Sequence, residues 1–102
     1  YAYRHPPRTF DFGESDSPLI EQLSRLALQC WHVFDLRGYA RVDFRVDADG
    51  RPWVLEVNTN PCLSAEAGFM AAVDRYGIGA RAVVERLVSA AVRPRHTLKA
   101  MA

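Results

Sequence analysis

Arg41 to Ser64, RVDFRVDADGRPWVLEVNTNPCLS, decides how the rest of the chain is read. Two arms alternate apolar and polar residues, the period of a half-buried strand. Between them lies Asp49-Gly50, a pair favoured in two-residue hairpin turns because both positions need positive φ. A turn there makes Ala48 face Arg51, Val46 face Trp53, Phe44 face Leu55 and Val42 face Val57 on an apolar side. The other side pairs Asp43 with Glu56 and Arg41 with Asn58.

Opposed side chains sit roughly 5 Å apart at Cβ, and like charges so placed destabilise a sheet. Two facing carboxylates with a carboxamide two residues on are the arrangement expected around a cation. The donors are all oxygen, which suits Mg²⁺ or Mn²⁺ better than Zn²⁺. The plainer reading is a solvated face of ordinary ion pairs, with Arg41 and Arg45 flanking Asp43, worth little to stability.

The order Gly38-Tyr39-Ala40-Arg41-Val42-Asp43-Phe44, Asp49-Gly50, then Glu56-Val57-Asn58-Thr59-Asn60-Pro61 resembles the C-terminal part of the ATP-grasp superfamily. The branch it is most similar to is that of the D-alanine–D-alanine ligases. The pattern is Arg-x-Asp, a DG turn, Glu-x-Asn and a nearby Pro. The resemblance implies that Asp43, Glu56 and Asn58 bind the magnesium ions that hold ATP phosphates. It implies that Arg41 stabilises the charge of a phosphorylated intermediate. The implied chemistry is activation of a carboxylate as an acyl phosphate, followed by attack of an amine. Metal bridging and cationic stabilisation are the physical core of such a step.

The chain also departs from that pattern. Cys62 stands where the family usually has Gly. Ala65 and Ala67 stand where small hydroxyl residues help bind the substrate carboxylate, and only Ser64 keeps a hydroxyl. These departures bear on D-alanine as substrate and leave the metal residues untouched. By position, Asn60, Cys62 and Ser64 border the acceptor substrate.

The chain's 102 residues allow one small domain at most. Its hydrophobic share of 49% and charged share of 25% are those of ordinary soluble globular chains. A net charge of +1 argues against a dedicated nucleic-acid surface. No apolar run approaches the roughly 20 residues of a membrane span, and no signal peptide is visible. Cys30 and Cys62 make neither a disulfide framework nor a metal-ligand spacing, so the expected compartment is reducing and cytoplasmic. Cys30 falls on a helical apolar stripe. Cys62 has no histidine placed to act as its base.

Along the chain, Tyr1–Arg4 is read as the end of an upstream strand and Pro6-Pro7 as a stop. Asp11, Glu14 and Asp16 form a solvated acidic patch. Ser17-Pro18 starts an amphipathic helix with Ser17 as its cap. Leu19, Leu23, Leu26, Ala27, Cys30 and Phe34 are its inner stripe. That helix is expected to run to about Leu36 and to end at Gly38. Ser64 is expected to cap a second helix to about Tyr76, with Gly77 as its stop. The N-terminus of that helix would then offer backbone N–H groups to a carboxylate or phosphate. Arg81 to Val92 forms a third helix with Val83, Val84, Leu87, Val88 and Ala91 inward, and Pro94 ends it.

The expected fold is α+β: an antiparallel hairpin packed with about three helices over residues 1–94, followed by a mobile basic tail over 95–102. An isolated hairpin is marginal, so the chain is expected to be a fragment whose partner is the remainder of an ATP-grasp chain. Such a protein also needs an adenine pocket and a phosphate-reaching lysine, and Lys99 is the single lysine here. The expected ligands are ATP, Mg²⁺ and small amino-acid or carboxylate substrates, without nucleic acid or membrane. Two alternatives stand: a non-catalytic module that associates through an exposed sheet edge, itself included, and a true D-alanine–D-alanine ligase.

Overall fold

A computed structural model describes residues 12–93. The expectations for Tyr1–Arg4, Pro6-Pro7, Asp11 and the tail over 95–102 lie outside those residues. A short 3-10 turn, Glu14–Asp16, leads into helix α1 (Ser17–Val33). Strands β1 (Arg41–Val46) and β2 (Pro52–Asn58) follow, then helices α2 (Gly68–Tyr76) and α3 (Ala80–Val92). The strands form one antiparallel two-stranded sheet, and α1 contacts both of them. This is the expected α+β arrangement of a hairpin with three helices.

Helix α1 carries Pro18 in its first turn, where a missing N–H costs nothing. The preceding residue, Asp16 rather than Ser17, takes the cap position. The helix also stops earlier than Gly38. The Asp35 N–H donates to the His32 carbonyl and the Leu36 N–H to the Trp31 carbonyl, at 3.2 and 3.0 Å. That is a Schellman closure, and its left-handed residue is Asp35, at φ 49°. Aspartate tolerates this conformation better than most side chains. Phe34 therefore lies beyond the helix and is exposed rather than on the inner stripe. Helix α2 ends by the same closure with Gly77 as its left-handed residue, as expected.

The hairpin turn differs from the expected two-residue loop. Asp47 and Arg51 close it, with the Asp47 N–H donating to the Arg51 carbonyl at 2.9 Å. Three residues then span the tip. Gly50 is at φ 80° while Asp49 keeps negative φ, the pattern of a three-residue hairpin loop. The Asp47 carboxylate organises that tip. Its Oδ1 accepts the N–H groups of Asp49 and Arg51, and its Oδ2 accepts the Trp53 indole N–H at 2.9 Å.

The longer loop shifts the lower half of the ladder by one residue. Phe44 pairs with Val54, Arg45 with Trp53 and Val46 with Pro52, while Leu55 is left without a partner in a β-bulge. Trp53 therefore faces Arg45 on the charged side, and it does not join the apolar side with Val46. Above the bulge the expected register holds: Val42 pairs with Val57, Asp43 with Glu56 and Arg41 with Asn58.

Hydrogen bonds to Asp47, led by that from the Trp53 indole, hold its carboxyl below the ordinary carboxylate range. A depressed folded-state value means the stabilisation is present above the unfolded carboxylate range. It is lost as pH falls through the lowered value. Acidification of the complete protein should therefore shift Trp53 emission, read as the difference between the wild-type signal and that of Trp53→Phe. Asp47→Asn should abolish that acid transition, as followed by fluorescence.

Helix α3 is anchored by a residue far away in sequence. Arg37 Nη2 donates to the carbonyls of Ala90 and Arg93, at 2.6 and 2.7 Å. A cation there satisfies orphan carbonyls and complements the helix dipole. Arg37→Ala is expected to cost about 1–2 kcal/mol in urea unfolding of the complete protein. The inner stripe of α3 is narrower than expected. Val83 is buried and Leu87 half-buried, whereas Val84 and Val88 are 55% and 58% exposed. Among the described residues, no helix is long and apolar enough to cross a membrane.

Candidate functional site

The upper end of the hairpin gathers the residues singled out by sequence. Alternation places Arg41 and Asp43 on one face of β1, and the cross-strand pairs bring Asn58 and Glu56 to the same face. Because the bulge lies below Asp43, it leaves this pairing intact. Asp43 and Asn58 are half-buried and Glu56 is exposed. Arg41 grips Asp43 with both ends of its guanidinium, Nε to Oδ1 at 2.8 Å and Nη2 to Oδ2 at 3.0 Å. Such forked pairs fix geometry as well as charge.

The donor set is two carboxylates and a carboxamide, all hard oxygen. Its chemistry fits Mg²⁺ or Mn²⁺, which take one or two protein carboxylates and fill their remaining positions with water and phosphate oxygens. Arg41 leaves lone pairs on Asp43, since an ionised carboxylate accepts up to about four hydrogen bonds. Among the described residues no three His, Cys, Asp or Glu side chains cluster tightly enough to hold a metal by themselves. A cation here would need Asn58 and external oxygens.

The following loop is tied back onto this face. The Asn60 N–H donates to Asn58 Oδ1 at 2.9 Å, which turns the chain just after β2. The Tyr39 hydroxyl donates to Asn60 Oδ1 at 2.8 Å, and the Tyr39 ring lies against Phe69 of α2 with centroids 5.2 Å apart. Pro61 is fully buried beneath the loop. Sequence reasoning missed Tyr39 and Asp47. Neither carried a motif, although an aspartate just before a hairpin tip is a legible turn signal.

Asn60, Cys62 and Ser64 all lie on the exposed side of the loop. The Ser64 N–H points to Cys62 Sγ at 3.5 Å, and the Ser64 carbonyl accepts the Ala67 N–H at 2.9 Å. Ser64 thus closes a turn ahead of α2 and does not cap it; Ala67 holds the cap position. The open N–H groups of α2 accordingly start further along the chain from Asn58 than a helix beginning at Ser64 would put them.

Beside Glu56, along β2, runs an apolar groove of about 540 Å³ lined by Phe34, Leu36, Val54, Leu55, Val57 and Thr59. The bulge residue Leu55 is 65% exposed within it.

The profile of the family described as D-ala D-ala ligase C-terminus matches residues 14–89. A D-alanine–D-alanine ligase of Bordetella petrii is 29% identical over 102 residues, covering 95% of this chain and 31% of that protein. A D-alanine–D-alanine ligase of Pelotomaculum thermopropionicum is 40% identical over 70 residues, covering 69% of this chain and 22% of that protein. The chain thus spans a third or less of the length of these curated relatives. No solved structure gives a significant match.

Proposed function

The chain belongs to the D-ala D-ala ligase C-terminus family, a family of ATP-dependent ligases, and from that premise we propose that it is the Mg-ATP-binding C-terminal part of a carboxylate–amine ligase working through an acyl phosphate. The observation that carries the reading is the register of the hairpin's upper half. It sets Asp43 against Glu56 and Arg41 against Asn58 on one face.

Asp43, Glu56 and Asn58 would hold the magnesium, which when bound would supply positive charge against the phosphates. Arg41 places a fixed guanidinium where negative charge grows on the transferring group, a role its fork suits better than a lysine would. The ion pair with Asp43 keeps that fork oriented before substrate arrives. Asn60, Cys62 and Ser64 border the acceptor and offer it polar groups from an exposed loop. The groove around Leu55 is covered by the remainder of the ATP-grasp chain, which also brings the adenine pocket and the phosphate-reaching lysine. These residues alone do not catalyse, and the complete enzyme works in the cytoplasm.

Hydroxylamine trapping tests the reaction class. The complete protein, given ATP, Mg²⁺ and a panel of amino acids and small carboxylates, should yield a hydroxamate and stoichiometric ADP. ADP formation with no hydroxamate from any carboxylate would argue against an acyl phosphate.

A second reading is a true D-alanine–D-alanine ligase, favoured by the activity named for both relatives. Cys62, Ala65 and Ala67 weigh against it. Product analysis with D-alanine as sole substrate decides: a dipeptide establishes it, and amide formation only with another partner excludes it.

A further inference from the structure

We infer that Tyr39 is a positioning residue for the metal face, acting through Asn60 on Asn58; this rests on the proposed role of Asn58 as a magnesium ligand. The Tyr39 hydroxyl donates to Asn60 Oδ1 at 2.8 Å, and the Asn60 N–H donates to Asn58 Oδ1 at 2.9 Å. Two hydrogen bonds thus connect a side chain before β1 to the carboxamide oxygen at the end of β2. The Tyr39 ring is itself braced against Phe69. One aromatic residue therefore ties together the entry to β1, the exit from β2 and the helix after the loop.

The consequence for Asn58 is orientation. A carboxamide oxygen has two lone pairs. One is occupied by the Asn60 N–H, and that bond directs the other. The bond persists only while the backbone at Asn60 keeps its place. Exposed loops of this kind open easily unless a side chain pins them. Pro61, buried beneath the loop, pins one side, and the Tyr39–Asn60 bond pins the other. Partners that orient a metal ligand commonly change metal affinity by about 10–100-fold when removed.

The test is Mn²⁺ binding to the complete protein with a non-hydrolysable ATP analogue, followed by electron paramagnetic resonance. Tyr39→Phe keeps the ring against Phe69 and removes only the hydroxyl. It should weaken Mn²⁺ binding about tenfold while the melting temperature stays near wild type. Asn60→Ala should weaken binding to a similar degree, and the double variant should be no worse than either single one. Wild-type affinity in Tyr39→Phe, with binding lost in Glu56→Gln, overturns the role of Tyr39 and leaves the metal reading standing. Additive effects of Tyr39→Phe and Asn60→Ala overturn the route through Asn60. Wild-type affinity in Glu56→Gln as well removes the metal reading and this inference together.

Discussion

Glu56→Gln and Asp43→Asn, each made in the complete protein, are expected to weaken nucleotide-dependent Mg²⁺ binding by at least about 100-fold, beyond what loss of an outer-shell partner costs. The two carboxylates are cross-strand partners on one face. Each substitution keeps size and shape while removing one negative charge and replacing one acceptor oxygen with an N–H donor. If the pair held no cation, Glu56→Gln would relieve like-charge repulsion and leave the fold as stable or slightly more so. Asp43→Asn would also give up half of the Arg41 fork, at a cost of at most about 1 kcal/mol. A metal site and a plain charged face therefore predict different responses. With a metal role, affinity for Mg²⁺ collapses in both variants while stability in its absence changes by no more than about 1 kcal/mol. With only a solvated charged face, stability shifts by less than about 1 kcal/mol and Mg²⁺ has no effect. Calorimetric titration with Mg²⁺ and a non-hydrolysable nucleotide, beside thermal melts without metal, separates them.

Arg41→Lys is expected to lower kcat about 10²–10³-fold, which is roughly 3–4 kcal/mol of barrier. KM for ATP should change little, because the interaction lost is one made as charge develops. The structural contribution of the same side chain is small by comparison. The Arg41–Asp43 pair is 42% and 36% exposed at its two side chains, and ion pairs this open contribute at most about 1 kcal/mol. A lysine keeps the charge but loses the fork that meets Asp43 at two points. Single-turnover measurements of phosphoryl transfer, with the melting temperature alongside, check this. A large fall in melting temperature with kcat unchanged would make Arg41 a structural residue of the hairpin.

The half of the hairpin that carries these residues is legible in the sequence because two signals agree there. Alternation fixes the faces, and Asp49-Gly50 marks where the chain reverses. The lower half is not legible, because the turn is closed by Asp47 and Arg51 and holds three residues. The extra residue is absorbed at Leu55, inside the run Trp53-Val54-Leu55, where three consecutive apolar residues carry no period to reveal a slip. Since side-chain direction flips with each residue, that bulge moves Trp53 to the charged side while sparing Asp43 and Glu56.

Helix ends are less legible for a local reason. Ser64 has the right side chain for a cap, but its backbone carbonyl takes the Ala67 N–H and closes a turn first. At the other end of α1, Gly38 has the residue type of a stop, yet Asp35 adopts the left-handed conformation. On α3, Val84 and Val88 extend the apolar stripe in sequence but lie exposed. Periodicity reports which residues are apolar and says nothing of which neighbour covers them. The bond between Tyr39 and Asn60 is out of reach altogether, because a hydrogen bond between side chains 21 positions apart leaves no local pattern.

The rival possibility, a module that binds partners through its sheet edge and performs no chemistry, predicts self-association indifferent to Mg²⁺ and nucleotide. The measurement that bears most directly on the difference is calorimetric titration of ATP into the complete protein, with and without Mg²⁺, in wild type and Asp43→Asn. A magnesium site on the Asp43–Glu56 face predicts Mg²⁺-dependent binding in wild type that is lost in the variant. Nucleotide binding that is absent from both, or the same in both, would contradict it.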